Sequence, residues 1–404
     1  MNPLVDRRDS RYKAVAHGFF LSITTTIAEP SIILPLILHY FGAGSLSVGF
    51  LSSLLKGGAI VVQLFAAFWA QSYARVMPYL RFVFAARFLS WFGIGAGIWF
   101  FGPLDPTMAL WSIGIGLFVF SFSAGFGAIY FNEILGKVFS HKMRSQVFAQ
   151  RQFAAGAGAL ISGFGAGMIL EHFPAPYSYA SLFLISSLIM LAGVVPYALI
   201  REPIKTNLQV REEKFFHFVR NAFSLLKSDP RLRRQIRTYL LSYGHLLSLP
   251  FIILDAEHKL SLSGIQIGYL LSAQIAGGML SNLVWGSMAS RGSIRIIIYA
   301  SFLGYIAANT GAHFATETIH FALVFFCLGA SMDGMRLAFS NNILIIAPEH
   351  LRPVYIALQS NLTSIGLFFA VPGALILERF GYDWLLTSTI AVLMIGLVTA
   401  RRLD

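Results

Sequence analysis

The residues whose types and spacing bear on chemistry here are charged side chains set inside long apolar stretches. Glu29 follows Ser22 and Thr25 or Thr26 at steps of three or four, giving one helix face a polar stripe. Lys56 lies between Ser52 and Gln63 at steps of four and seven, again on one face. At ~1.5 Å per residue, both charges come roughly 20 Å from the same end of consecutive helices, where they can pair. Such a pair is either a static tie between helices or part of a binding site. Arg87, with Trp91 one turn on, either joins Lys56 in receiving an anionic group or snorkels to the rim. Asp333, Arg336 and Ser340 recur at i, i+3 and i+7, so the first two can neutralise each other. His245 shares a face with Ser242; it is either a hydrogen-bonded packing residue or a proton carrier, since imidazole titrates near neutrality. Gln274 and Asn361 add hydrogen-bonding capacity. Ionisable groups at membrane depth are costly and mark solute or proton paths. The candidate set is therefore Glu29, Lys56, Arg87, His245, Gln274, Asp333 and Arg336. His17 is off the Glu29 stripe and near one end of its helix, so it stays outside the set.

Membrane depth presupposes a bilayer, and the composition demands one. Of 404 residues, 56% are hydrophobic and only 12% charged. A soluble domain carries about 45–50% apolar and ~25% charged residues, so this chain could not cover a water-facing surface. About twelve apolar runs are long enough to cross ~30 Å of hydrocarbon. They cover 15–41, 47–70, 79–102, 107–134, 146–170, 177–200, 234–256, 265–289, 294–313, 318–346, 354–377 and 381–400. Irregular chain cannot face lipid, so the expected fold is an all-α multi-pass membrane protein. Pro30 directly after Glu29, and Pro250 at the matching place in run seven, should each loosen a helix.

The 30 Lys and Arg against 18 Asp and Glu give a net +12, which in a soluble protein would suggest a nucleic-acid partner. Here the basic residues gather in alternate loops: Arg7, Arg8, Arg11 and Lys13; Arg75; Lys137, Lys142 and Arg144; residues 201–233; Arg291 and Arg295; Arg352; Arg401 and Arg402. The other loops hold Asp105, Glu171, Asp255, Glu257, Glu317, Glu378 and Asp383, with Lys259 and Arg379 as their basic residues. The positive-inside rule then places both termini in the cytoplasm and the chain in the cell (inner) membrane, with no nucleic acid as partner. Within the long connection 201–233, Glu212 to Leu226 spaces Phe215, Phe216, Val219 and Phe223 as a basic amphipathic helix on the inner surface. Cys327 lies in an apolar run and excludes an intramolecular disulfide. The first apolar run is too long for a signal peptide and lacks a small-residue cleavage site.

Two stretches repeat. FNEILGKVFSHKMRSQVFAQ after run four and SNNILIIAPEHLRPVYIALQ after run ten bring Asn132 onto Asn341, Ile134-Leu135 onto Ile343-Leu344, His141 onto His350 and Arg144 onto Arg352. The following runs end ILEHF and ILERF. The expected organisation is thus two pseudo-symmetric six-helix halves, 1–200 and 234–404, joined by the linker 201–233. Parallel repeats of this kind place a solute site between them near mid-membrane.

In this pattern the chain resembles the major facilitator superfamily. That family's gate loop, G-x-x-x-D-R-x-G-R-[RK], has a counterpart in GSMASRGSIR, where Gly286, Arg291 and Arg295 match and Ser290 replaces the aspartate. The first copy, AFWAQSYARV, keeps Arg75 and has Gln71 at the aspartate position. The resemblance implies a cytoplasmic gate at Arg75, Glu133, Arg144, Gly286, Arg291 and Arg295, without the acids that latch it in the family. Run five, GAGALISGFGAG, lacks the Gly-Pro motif of the family's antiporters; Gly156, Gly158, Gly163, Gly165 and Gly167 serve close helix packing instead.

The expected function is secondary active transport of a small polar or amphiphilic solute (anionic, zwitterionic or a chelate) by alternating access with proton coupling, as import or export. The alternatives are a proton-driven multidrug or metabolite exporter and, more remotely, a membrane sensor or an intramembrane enzyme. No HExxH, GxSxG or GxxxxGK[ST] motif occurs, so neither an enzyme nor a primary pump is expected. Partners reduce to the solute, protons and lipid, with no cofactor or metal, and the chain is expected to work as a monomer.

Overall fold

The computed structural model describes residues 7–70, 73–204, 225–348 and 351–403. Among them every regular element is helical. The N-terminal group comprises α1 (Arg7–Thr26), α2 (Ile33–Tyr40), α3 (Ser45–Ala70), α4 (Met77–Phe101), α5 (Pro106–Val138), α6 (His141–His172) and α7 (Tyr177–Ala198). The C-terminal group begins with α8 (Pro230–Ser242), α9 (Leu249–Leu260), α10 (Gly264–Ser290) and α11 (Ile294–Phe314). It continues with α12 (Thr318–Ile346), α13 (Arg352–Thr363), α14 (Ala370–Phe380) and α15 (Tyr382–Ala400). Most of the expected linker helix, Glu212 to Leu226, lies outside the described residues, as do Gln71 and His350.

Ten helical stretches among the described residues are long and apolar enough to cross a bilayer, and they coincide with expected runs three to twelve. The first run is broken. After Thr26 the chain leaves the helix and resumes it at Ile33, because Pro30 has no N–H and disfavours helical geometry at Glu29. Run seven is interrupted by a 3-10 turn, Tyr243–Leu247, before Pro250 in the first turn of α9. A second 3-10 turn, Ser364–Phe368, splits run eleven. Starts are set by local chemistry. Asp105 accepts from Thr107 N and Met108 N ahead of α5, and Ser263 with Gln266 closes a capping box on α10. Large apolar side chains such as Phe82, Phe153 and Leu283 point outward, as a lipid-facing surface requires.

The two groups meet along seams built on small residues. On α6, Gly163 lies against Ser272 of α10, and Gly167 against Gly264 and Gly268. On α3, Gly49 lies against Ala370 and Gly57 against Phe368. Leu46 N donates to Glu378 Oε1 and Ile265 N to Glu171 Oε2, each at 3.2 Å. These contacts occupy the part of each helix nearest the turns at Gly42, Ser261 and Gly381. Towards the opposite end the bonds turn inward within one group: Arg11 Nε donates to Gln150 Oε1 at 2.7 Å, tying α1 to α6. One end of the bundle is therefore closed by backbone-close packing, and a cavity lies beyond it.

Candidate functional site

The break in α1 carries Glu29 to the wall of that cavity. Lys56 on α3 faces it, with Nζ 3.0 Å from Oε1. Ser31, within the break, donates to Gln274 Oε1 on α10 at 2.8 Å and so ties the N-terminal group to the C-terminal one. From α12, Arg336 donates to Asp333 Oδ1 at 2.7 Å, and Asn282 Nδ2 donates to the other carboxylate oxygen at 2.7 Å. One lobe of about 330 Å³ runs from Ser52, Ser53 and Lys56 to an aromatic wall of Tyr239, Tyr243, His245 and Tyr305. A second of about 280 Å³ takes in Ser22, Thr26, Glu29, Gln152 and Gln274. Lys56, Met332, Asp333 and Arg336 border both lobes, so an ion pair from each group of helices faces the same space.

The expected residues do not all converge there. Glu29, Lys56, His245, Gln274, Asp333 and Arg336 line the cavity. Arg87 lines neither lobe; it lies buried within the N-terminal group, its guanidinium 4.3 Å from the Phe120 ring centre. His245 stacks on Tyr305 at 4.2 Å and bonds the Ser242 carbonyl through Nδ1 at 2.7 Å, which fixes the ring. Spacing alone had not singled out Asn282, although it falls at i+8 from Gln274 and so shares its face. Ser31 was equally missed, because nothing local marks it beyond Pro30.

At the other end of the bundle the expected gate residues lie among local bonds. Arg144 donates to the carbonyls of Phe139 and Gly136, and Arg295 to that of Leu403. Arg75 and Arg291 are exposed, and nothing crowds the α-carbon of Gly286. Glu133 lies 3.6 Å from Lys137, whose ammonium approaches Glu202 at 2.7 Å. Glu202 also accepts from Val76 N and Met77 N, so it holds the turn before α4 where the loop lacks its own aspartate. Its position beyond run six made it read as linker. Among the described residues no group of three or more His, Cys, Asp or Glu could hold a metal ion.

No family model matches the chain, and no curated protein matches it. Solved structures do. The nucleoside transporter NupG aligns with 98% of this chain and 98% of its own at TM-score 0.76 and 12% identity. A bacterial homologue of the iron transporter ferroportin, in its inward-facing state, aligns over 100% and 99% at TM-score 0.70 and 15% identity. A bacterial metal transporter aligns over 100% and 99% at TM-score 0.63 and 18% identity. Identities this low carry the fold and not the cargo. With full-length superposition and ten apolar helices among the described residues, the chain shares the fold of these solved transporters.

Proposed function

We propose that the protein is a secondary active transporter that moves a small polar or amphiphilic solute by alternating access. The observation that carries this is the placement of Glu29–Lys56 and Asp333–Arg336, one pair from each group of helices, on one shared cavity. Two acids beside two bases suit an anionic or zwitterionic solute or an anionic chelate, because each base can exchange its partner for a ligand carboxylate. Glu29 and Asp333 are the proton carriers of this reading, since a carboxylate at membrane depth can neutralise by protonation. Residues 1–200 and 234–404 act as the two moving halves, with both termini cytoplasmic. In that orientation the closed seams lie outside and the cavity faces the cytoplasm.

The aromatic wall of Tyr239, Tyr243 and Tyr305 favours a second reading, an exporter of flat amphiphilic metabolites or drugs. Both readings are tested in proteoliposomes with a panel of labelled amino acids, dicarboxylates, nucleosides and aromatic cations under an imposed pH gradient. Glu29→Gln or Asp333→Asn should abolish gradient-driven accumulation and spare counterflow. An unchanged pH profile in both variants would remove the proton-carrier role.

A further inference from the structure

Within the N-terminal group, away from both cavity lobes, three basic side chains come together without an acid. His17 of α1 is 3% exposed and Arg87 of α4 is 9% exposed. The imidazole is enclosed by Tyr197, Phe131 and Phe84, with ring centres 4.9, 5.3 and 5.4 Å away. Arg151 of α6 packs its stem on Gly18 and sets its guanidinium 4.6 Å from the Phe131 ring centre. Both arginines are close enough to act electrostatically on His17, and on each other.

Four of their buried nitrogens are unsatisfied. Neither ring nitrogen of His17 has a hydrogen-bond partner, and the same holds for Nε of Arg87 and of Arg151. Among the described residues no carboxylate pairs with any of the three. The Phe120 and Phe131 faces attract the guanidinium charges but accept no conventional hydrogen bond. A guanidinium stays charged at any accessible pH, so deprotonation offers no escape from this cost. Burying the Arg87 ion without a counter-charge is strongly unfavourable, and the partly exposed Arg151 beside it repels it as well. A small anion would offset both charges at once.

We propose that His17, Arg87 and Arg151 form a binding site for a small anion, a carboxylate, phosphate or halide, between α1, α4 and α6. Two planar donor forks suit an oxyanion. His17 lies nine residues before the end of α1 at Thr26, roughly 14 Å further from the closed end. Arg151 directly precedes Gln152, which lines the second cavity lobe. The site's ligand is either a resident ion or the acidic group of the solute itself. Binding here does not depend on the transport reading.

The test uses the full chain in detergent and gluconate buffer, with the melting midpoint followed as chloride, inorganic phosphate or acetate is added. Wild type should show a saturable rise with at least one of the three. Arg87→Gln and Arg151→Gln should need at least tenfold more anion for the same rise. Should either fail to fold, Arg87→Lys and Arg151→Lys keep the charge, lose the fork and should weaken phosphate and acetate by the same factor. No saturable response in wild type, or an equal response in the variants, overturns the site. Counterflow of labelled acetate or phosphate in proteoliposomes then separates the sources. Flux assigns the site to the acidic group of cargo, and binding without flux assigns it to a resident ion. A chain that binds anions yet carries no solute of any class would sink the transport reading and leave the site standing.

Discussion

Glu29 and Lys56 meet at 3.0 Å with 23% and 46% of their side chains exposed, so the pair is wet rather than sealed. A half-exposed pair is worth about 0–1 kcal/mol, against the 3–5 kcal/mol lost on breaking a buried one. The pair is thus a poor cement, which fits the ligand role proposed for it. Glu29→Gln or Lys56→Met should each shift stability by about 1 kcal/mol or less. The double variant should melt like wild type yet fail to bind an anionic or zwitterionic solute, since no neutral side chain replaces the ammonium. Wild-type transport by that double variant would remove Lys56 from the substrate site, leaving Arg336 as the base that borders both lobes. The contact itself was legible in the sequence, because two charges at equal depth on consecutive helices have few other partners. Arg87 was legible as buried charge but not in its company. The neighbours that matter, His17 and Arg151, come from α1 and α6, and only packing in three dimensions brings them beside it.

Helices here start and stop for reasons of differing visibility. The break after Thr26 could be read from Glu29-Pro30, and the one near Pro250 likewise. The 3-10 turn at Ser364–Phe368 could not, because no proline precedes it within the run and Pro372 sits inside the helix that follows. Glycine spacing on α6 was legible as a packing face, but its mate on α10 was not. The start of α8 offers a measurable case. Asp229 accepts from Arg231 N at 2.8 Å and Leu232 N at 3.3 Å, and the Tyr355 hydroxyl donates to it at 2.7 Å. Burial alone would raise its pKa. The Tyr355 hydroxyl, the two N–H groups and the Arg231 charge outweigh that and hold the carboxyl below its ordinary value. A lowered native pKa means stability that is present above the unfolded-state value and is lost as pH falls through the native one. Asp229→Asn should therefore melt below wild type near neutrality, and the gap should close as pH drops below ~4. No gap at any pH would show that the amide caps as well as the carboxylate does, and a gap independent of pH would show that charge plays no part.

At the scale of the whole molecule, the orientation rests on the asymmetry of Lys and Arg between alternate loops. Single cysteines at Ser140 and Ser293 should label only from the cytoplasm, and one at Asp383 only from outside; labelling of Ser140 in intact cells would invert the assignment. The cavity has a further consequence, in the currency of water. Lobes of about 330 and 280 Å³ lined by charged and hydroxyl groups are hydrated when no solute is present. At ≈ 30 Å³ per molecule each holds on the order of ten waters. In the proposed cycle the step that closes this space expels much of that water, so osmotic pressure biases the conformational balance. Polymers too large to enter the lobes should then favour the less hydrated state. Spin labels at Phe173 and Phe314, in opposite groups at the closed end, would report it as a population moving to longer distance as polymer concentration rises. A distribution indifferent to osmotic pressure would mean the protein carries the same water through every state it visits.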